Sequence, residues 1–108
     1  MEKIDKARFE ARAKVLKAMA HPSRLFIVDT LSKGERCVQD LADMLEIDIS
    51  TVSRHLSVLK NAALVKDEKK GTKVFYRLSV PCVLNFFSCV ESVLESNAIE
   101  QAGLLGGD

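Results

Sequence analysis

The sequence lacks tryptophan, has only one tyrosine and two prolines, and contains no apolar run near the roughly 20 residues that cross a bilayer. It has no Gly-rich phosphate loop, nucleophile elbow or catalytic carboxylate pair, which argues against the common classes of enzyme. The N-terminal stretch MEKIDKARFEARAK is charged and amphipathic, unlike a secretory signal peptide. At 108 residues we expect one domain with a small core, located in the cytoplasm and not associated with a membrane.

The chain has only three cysteines, an odd number. Cys37, Cys82 and Cys89 show no paired spacing, so a reducing compartment is expected and a disulfide scaffold is not. No cofactor is expected to be required for folding.

The net charge of +1 argues against a general polyanion binder, but the charge is unevenly distributed. Residues 50–78 carry seven Lys or Arg against two acidic residues, and residues 35–48 carry five acidic residues against one basic residue. Residues 79–108 have four acidic residues and no basic one. Residues 50–78 therefore form a positively charged segment, as expected of a surface that faces DNA.

The positive segment begins inside a helix-turn-helix pattern. A first apolar stripe is followed by a polar turn with Asp48 or Ser50 as N-cap, and then by a second stripe. The stripe positions are Val38, Leu41 and Leu45 in the first helix and Ile49, Val52, Leu56, Leu59 and Ala63 in the second. Small hydroxyl residues and Arg54 on the polar face of the second helix suit entry into a major groove. The alternative is an ordinary solvated helix with a Ser-rich surface.

Residues 65–78 change to an alternating pattern around a charged, Gly-containing tip, which is typical of a β-hairpin. A hairpin directly after a recognition helix is the wing of a winged helix. We expect Lys69, Lys70, Lys73 and Arg77 to lie along a phosphate backbone. The alternative is a surface hairpin made soluble by its lysines.

Two helices precede this motif. The first spans residues 6–20, and the second begins at Pro22 and has a dense apolar stretch over 23–31, so it is expected to be the buried central helix. A last helix spans about 81–97, which closes a domain over 1–97 and leaves a flexible tail over 98–108. The apolar side chains of the last helix cover more than one face, which predicts a homodimer formed by the first and last helices. The candidate dimer residues are Phe9, Leu16, Val83, Phe86, Val90 and Val93.

Four segments resemble the ArsR/SmtB family of dimeric winged-helix repressors. They are KAMAHPSRLFIV (17–28), GERCVQDL (34–41), STVSRHL (50–56) and GTKVFYRL (71–78). The resemblance extends from about residue 10 to residue 95, with the motifs in the family's order. It implies a mainly helical winged helix-turn-helix, with four helices, a hairpin wing and a fifth helix. It also implies a homodimer that occupies an inverted-repeat DNA operator until an inducer binds.

The family's recognition positions correspond to a short set in this chain, with one further possible contact in the preceding helix. They are Ser50, Thr51, Ser53, Arg54 and His55, with Gln39 as the further contact. His55 could equally well pack under the wing.

The sequence departs from the sensor motifs of the family. Arsenic-sensing relatives have two cysteines at the start of the third helix, whereas here Cys37 takes the first place and Gln39 the second. Zinc-sensing relatives place Asp, His and Glu ligands along the final helix. The two histidines of this chain, His21 and His55, lie outside that helix, so a zinc site of that type is not expected.

Cys37, Cys82 and Cys89 leave two sensor chemistries open: As(III) or Sb(III) bound by thiolates, and thiol oxidation or persulfidation. Cys82 and Cys89 are separated by about 10.5 Å along a helix axis, beyond the roughly 7 Å that a disulfide spans between Cα atoms. Any pairing must therefore involve Cys37, a second subunit or an unwound helix start. Cys82, in the first helical turn, is expected to be the more reactive thiol, and Cys89 a small buried hydrophobe.

Two alternatives to a thiol-sensing repressor remain open. One is a winged-helix regulator with structural cysteines that responds to another ligand. The other is a dimeric protein-interaction module that does not bind DNA.

Overall fold

The computed structural model describes residues 2–105, with side chains for residues 2, 3 and 5–101. The helices are α1 (Lys3–Met19), α2 (Pro22–Leu31), α3 (Val38–Leu45), α4 (Ile49–Asn61) and α5 (Val83–Leu105). The strands are β1 (Arg36–Cys37), β2 (Val65–Lys70) and β3 (Lys73–Leu78). The mainly helical winged helix-turn-helix predicted from the sequence is confirmed.

Local sequence sets the helix boundaries around the helix-turn-helix. Pro22 opens α2, and the preceding His21 caps it, its Nδ1 accepting a hydrogen bond from the Ser23 N–H at 3.0 Å. Glu46 ends α3 in the left-handed region, with φ of 56°. That reversal leads directly to Asp48, the N-cap of α4.

The strands form one antiparallel sheet in the order β1-β3-β2. The hairpin of β2 and β3 is the predicted wing, and Gly71 supplies the positive φ of 65° at its tip. β1 was not predicted, because a strand of two residues is too short to show an alternating pattern. Its Cys37 pairs with Phe75 and thereby joins the start of α3 to the wing.

The core lies around α4. Val52, Leu56 and Leu59 are fully buried, and α4 packs against α1, α2, α3 and β2. The prediction that α2 is the central helix was only partly correct. Its Ile27 is fully buried, but its Phe26 remains 37% exposed.

The last helix is longer than the sequence predicted. α5 continues past Asn97 to Leu105, because residues 98–102 contain neither Gly nor Pro and consist mainly of good helix formers. Of the tail over 98–108, residues 106–108 lie outside the described part of the chain. Within residues 2–105, no helix has both the length and the apolar character needed to cross a membrane.

Candidate nucleic-acid interface

One carboxylate organises the first turn of α4. Asp48 accepts hydrogen bonds from the Thr51 N–H at 3.2 Å and the Thr51 hydroxyl at 2.6 Å. The Ser50 hydroxyl donates to the same carboxylate. These hydrogen bonds, first that from Ser50 and then those from Thr51, lower the pKa of Asp48 to about 2. The carboxylate is therefore ionised at neutral pH and orients both hydroxyls.

The polar side chains predicted for recognition lie opposite the buried stripe of α4. Arg54 is exposed, and its Nη2 donates to Thr51 Oγ1 at 3.3 Å. Ser50 is exposed, and Thr51 and Ser53 are half-buried. The full burial of Val52 on the other side fixes which face of the helix points outward. Helix α4 therefore presents a short row of hydroxyls followed by one guanidinium.

Ile49 does not belong to the buried stripe, so its assignment from periodicity was wrong. Its side chain is 48% exposed, whereas Val52, three residues later, is fully buried. The first turn of α4 thus extends beyond the packed core. Ile49 is therefore an exposed apolar side chain at the N-terminus of α4.

Gln39 lies on the exposed surface of α3, where its Nε2 donates to Asp43 Oδ1 at 2.8 Å. A contact between the Gln39 amide and DNA therefore competes with an intrahelical hydrogen bond.

His55 is half-buried against the start of α2. Its ring centroid lies 4.5 Å from that of His21, and its Nδ1 lies 3.2 Å from Arg24 Nη1. Because a guanidinium can only donate, His55 Nδ1 accepts and the imidazole is neutral in this arrangement. His55 therefore contacts the start of α2.

The wing places its basic side chains on an exposed surface, and two ion pairs connect β2 to its neighbours. Lys69, Lys73 and Arg77 are exposed. Lys70 Nζ lies 2.6 Å from Glu35 Oε1, which raises the pKa of Lys70, and it also lies 5.3 Å from the Phe75 ring centroid. A second ion pair joins Lys60 of α4 to Asp67 of β2 at 3.0 Å. Lys70 must therefore leave Glu35 before it can neutralise a phosphate.

The cysteines occupy three different environments. Cys37 is buried, and its backbone N–H donates to the Asp40 carboxylate at 3.4 Å. Cys82 is exposed in the turn before α5 and not in the first helical turn. Cys89 is exposed, so the prediction of a buried side chain was wrong for the single chain.

These positions do not make a metal site within one protomer. Among the described side chains, no group of three or more His, Cys, Asp or Glu could hold a metal ion. Three-thiolate binding of As(III) or Sb(III) does not fit a single chain, and would have to draw on a second one.

The predicted dimer residues, with one exception, form an exposed apolar surface on α1 and α5. Phe9, Leu16, Phe86, Val90 and Val93 are each between 40% and 58% exposed. Val83 differs, because it begins α5 beside the sheet and packs against the protomer's own core.

A groove of about 950 Å³ runs between α2, the end of α1 and α5. Its apolar lining includes Leu25, Phe26 and Phe86, and its acidic side chains are Asp29, Glu91 and Glu95.

Sequence reasoning missed the contacts that join distant segments. Glu35 and Lys70 are 35 residues apart, and no periodicity relates them. The contacts of His55 with His21 and Arg24 were also missed. Both residues lie in the segment 17–28 that resembles the family, but the sequence of that segment does not show that they contact α4.

Comparison with known proteins identifies the relatives of this chain. Residues 21–67 match the family model described as bacterial regulatory protein, arsR family. The transcriptional repressor SdpR of Bacillus subtilis is 33% identical, with 68% of this chain and 90% of that protein covered. The repressor SmtB of Mycobacterium tuberculosis is 41% identical, with 65% of this chain and 52% of that protein covered.

A solved structure has the same fold. The solution structure of a homodimeric winged helix-turn-helix DNA-binding domain from Mycobacterium bovis, a possible ArsR-family regulator, matches with a TM-score of 0.77 at 32% identity. The match covers 91% of each chain. The chain spans only 43% to 64% of the length of the first curated relatives it matches.

The environment of His55 predicts a loss of stability in weak acid. Burial, followed by the charges of His21, Arg24 and Arg54, lowers the pKa of His55 from its ordinary value of 6.5. The unfolded chain therefore takes up this proton more readily than the folded chain, and the free energy of unfolding should be level above pH 6.5 and fall below it. Denaturant titrations on either side of that pH should show the decrease, and His55→Gln should reduce it.

Asp48 does not interfere with this test, because its contribution is lost only below its ordinary value of 3.8. Identical pH profiles for the parent and His55→Gln would contradict the assigned environment.

Proposed function

This chain belongs to the arsR family of bacterial regulatory proteins, and from that premise we propose that it is a homodimeric transcriptional repressor that binds a double-stranded DNA operator. The prediction that the chain is not an enzyme agrees with a family of regulatory proteins. The observation that carries the proposal is the first half of α4, where exposed hydroxyls and Arg54 lie opposite a fully buried face.

The chemistry of α4 fits readout of base edges. The Arg54 guanidinium can donate two hydrogen bonds to O6 and N7 of a guanine in the major groove. Short Ser50, Thr51 and Ser53 side chains allow the backbone to approach closely.

The wing fits contact with the phosphate backbone. Lys69, Lys73 and Arg77 are exposed, and such contacts position a protein on the duplex without reading its sequence. Lys70 can join them if it exchanges Glu35 for a phosphate oxygen. The wing therefore contributes affinity that depends on salt, and α4 contributes specificity.

The apolar surface of α1 and α5 fits a second copy of the chain. Phe86 and Val90 face solvent, and a small domain gains stability by covering such a surface. The charges of the two helices are complementary. Residues 3–17 contain six basic side chains against two acidic ones, whereas residues 83–105 contain three acidic side chains and no basic one. A dimer presents two copies of α4, which suits an inverted repeat.

We propose that a thiol-directed signal acting at Cys37 and Cys82 releases the DNA. Cys37 lies where β1 pairs with the wing and α3 begins, so modification there would disturb the wing and the helix that packs against α4. Cys82 is exposed at the junction between the sheet and α5. A signal can release DNA only to the extent that it favours the conformation that does not fit the operator.

The thiol chemistry can take two forms. An oxidant such as a peroxide would join two thiols in a disulfide, while the peroxide oxygens leave as water. A soft metalloid would instead need a thiolate from the second protomer to complete three ligands.

Arg54→Ala should abolish specific DNA binding while it leaves the dimer and the melting temperature nearly unchanged. A specific base contact contributes roughly 1–3 kcal/mol per half-site, and the dimer loses two. Mobility shifts with a duplex from the region upstream of the protein's own gene measure this. A variant that binds like the parent would contradict the role of α4, and a parent that binds no duplex would favour a protein-interaction module.

Lys73→Gln should weaken binding to all duplex sequences equally and flatten the dependence of log K on log salt by about one unit for each phosphate that the variant no longer neutralises. Lys70→Gln should flatten it less, because Glu35 already neutralises Lys70 in the free protein. Fluorescence anisotropy over a series of salt concentrations measures both slopes. A change in sequence preference at constant slope would rule out backbone contact by the wing.

Phe86→Asp should dissociate the dimer, because the interface would bury an unpaired carboxylate and lose an aromatic side chain on each protomer. We expect the dissociation constant to increase on the order of a hundredfold or more, with a matching loss of DNA affinity. Asn85→Asp, which adds the same charge to the neighbouring exposed residue of α5, is the control. Sedimentation of the parent as a monomer at micromolar concentration would refute the dimer.

The sensor proposal predicts different inducer responses for the cysteine variants. The parent–DNA complex is titrated with arsenite, zinc, peroxide or polysulfide, and the same series is repeated with each Cys→Ser variant. Cys37→Ser and Cys82→Ser should resist the effective inducer, and Cys89→Ser should respond like the parent. Release by arsenite would indicate a metalloid site, and release by peroxide or polysulfide alone would indicate a redox switch. Equal responses of all three variants would show that the cysteines are structural.

A further inference from the structure

The hydroxyl groups of Ser50 and Thr51 each donate their one proton in a hydrogen bond within the protein. Ser50 Oγ and Thr51 Oγ1 both donate to the Asp48 carboxylate, the latter at 2.6 Å. A hydroxyl has one proton to donate and two lone pairs that accept. Thr51 also accepts from Arg54 Nη2 at 3.3 Å. Towards an external partner, these two hydroxyls therefore act as acceptors only.

The Asp48 carboxylate, which accepts from both hydroxyls, does not readily become a hydrogen-bond donor. Asp48 accepts from two hydroxyls and from the Thr51 N–H, and these hydrogen bonds stabilise its ionised form. An ionised carboxylate accepts hydrogen bonds and donates none. As long as Asp48 remains ionised, Ser50 cannot turn its proton outward without losing a charge-assisted hydrogen bond.

An exposed apolar side chain precedes these acceptors in the first turn of α4. Ile49 is 48% exposed at the first position of α4, immediately before Ser50. An exposed isoleucine contributes little to folding at such a position. Its methyl groups can, however, cover an apolar group on a ligand that approaches this turn.

We propose that Asp48 and Ile49 are specificity-determining residues that select an A·T base pair beneath the first turn of α4. The Ser50 oxygen accepts from the adenine amino group, and Ile49 packs against the thymine methyl group. This inference rests on the proposed function, because it assigns sequence preference to a helix already argued to enter the major groove.

The other base pairs satisfy only half of this arrangement. Cytosine also presents an amino donor in the major groove, but a G·C pair carries no methyl group. Guanine presents only acceptors at its major-groove edge, and these would face the lone pairs of Ser50. Only an A·T pair places an amino donor and a methyl group together, so the preference is for both features at once.

The test begins with selection of binding sites from a random double-stranded DNA library by the parent protein. The selected duplex then serves as the probe, and single chemical groups are removed from its bases. Replacement of the assigned thymine by deoxyuridine removes only the methyl group and should weaken parent binding about fourfold per half-site. Replacement of the paired adenine by purine removes only the amino group and should cost about fivefold per half-site.

Protein variants identify which side chain reads each group. Ile49→Ala should bind the thymine and deoxyuridine duplexes equally, because its shorter side chain does not reach the thymine methyl group. Asp48→Asn keeps a good N-cap but replaces one of the two acceptor oxygens by an amide group that donates. One hydroxyl then loses its acceptor, and selection should lose its preference for adenine at that one position. Ser57→Ala, an exposed serine later in α4, is the matched control and should keep the parent's preference.

Failures of this inference and of the proposed function are distinguishable. A parent that selects no sequence overturns both. A parent that selects an inverted repeat but binds deoxyuridine duplexes as tightly as thymine duplexes at every position overturns only the role of Ile49. A parental adenine preference that Asp48→Asn leaves unchanged overturns only the role of Asp48.

Discussion

The DNA-binding surface depends on the burial of one face of α4. Val52, Leu56 and Leu59 are fully buried among α1, α2, α3 and β2, and this packing fixes the rotation of the helix about its axis. The hydroxyls and Arg54 face outward because the apolar stripe faces inward. A substitution that weakened the packing of this buried face would disturb the orientation of the DNA-binding surface, even though it replaced no residue of that surface.

The wing, α4 and α5 differ in the charges that they carry. The wing carries several exposed basic side chains, the polar face of α4 carries the Arg54 guanidinium next to the hydrogen-bonded carboxylate of its N-cap Asp48, and α5 carries only acidic charges. Glu35 pairs with Lys70 and so moderates the positive charge of the wing in the free protein. Cys37 and Cys82 lie at the junctions of the sheet with α3 and α5. In the proposed mechanism, modification of these cysteines changes how α4 and the wing are positioned.

Periodicity and turn chemistry were sufficient to predict the order of the five helices and of the two strands of the wing, but not the short strand β1. The Asp48 cap, the Pro22 helix start and the Gly71 turn are local signals that residue type alone reveals. Other features depend on tertiary packing, which a pattern does not contain. The exposure of Ile49 and Cys89 depends on where the core ends. The contact of His55 with Arg24 joins segments 31 residues apart.

The central claim is that two copies of α4 enter major grooves of one duplex. Protection of guanine N7 from methylation by dimethyl sulfate reports directly on occupancy of the major groove. The account predicts two protected guanine clusters on one face of the duplex, centred about 10 base pairs apart, and both should disappear with Arg54→Ala. A single cluster, protection confined to adenine N3 in the minor groove, or no protection by a protein that binds the duplex would contradict it.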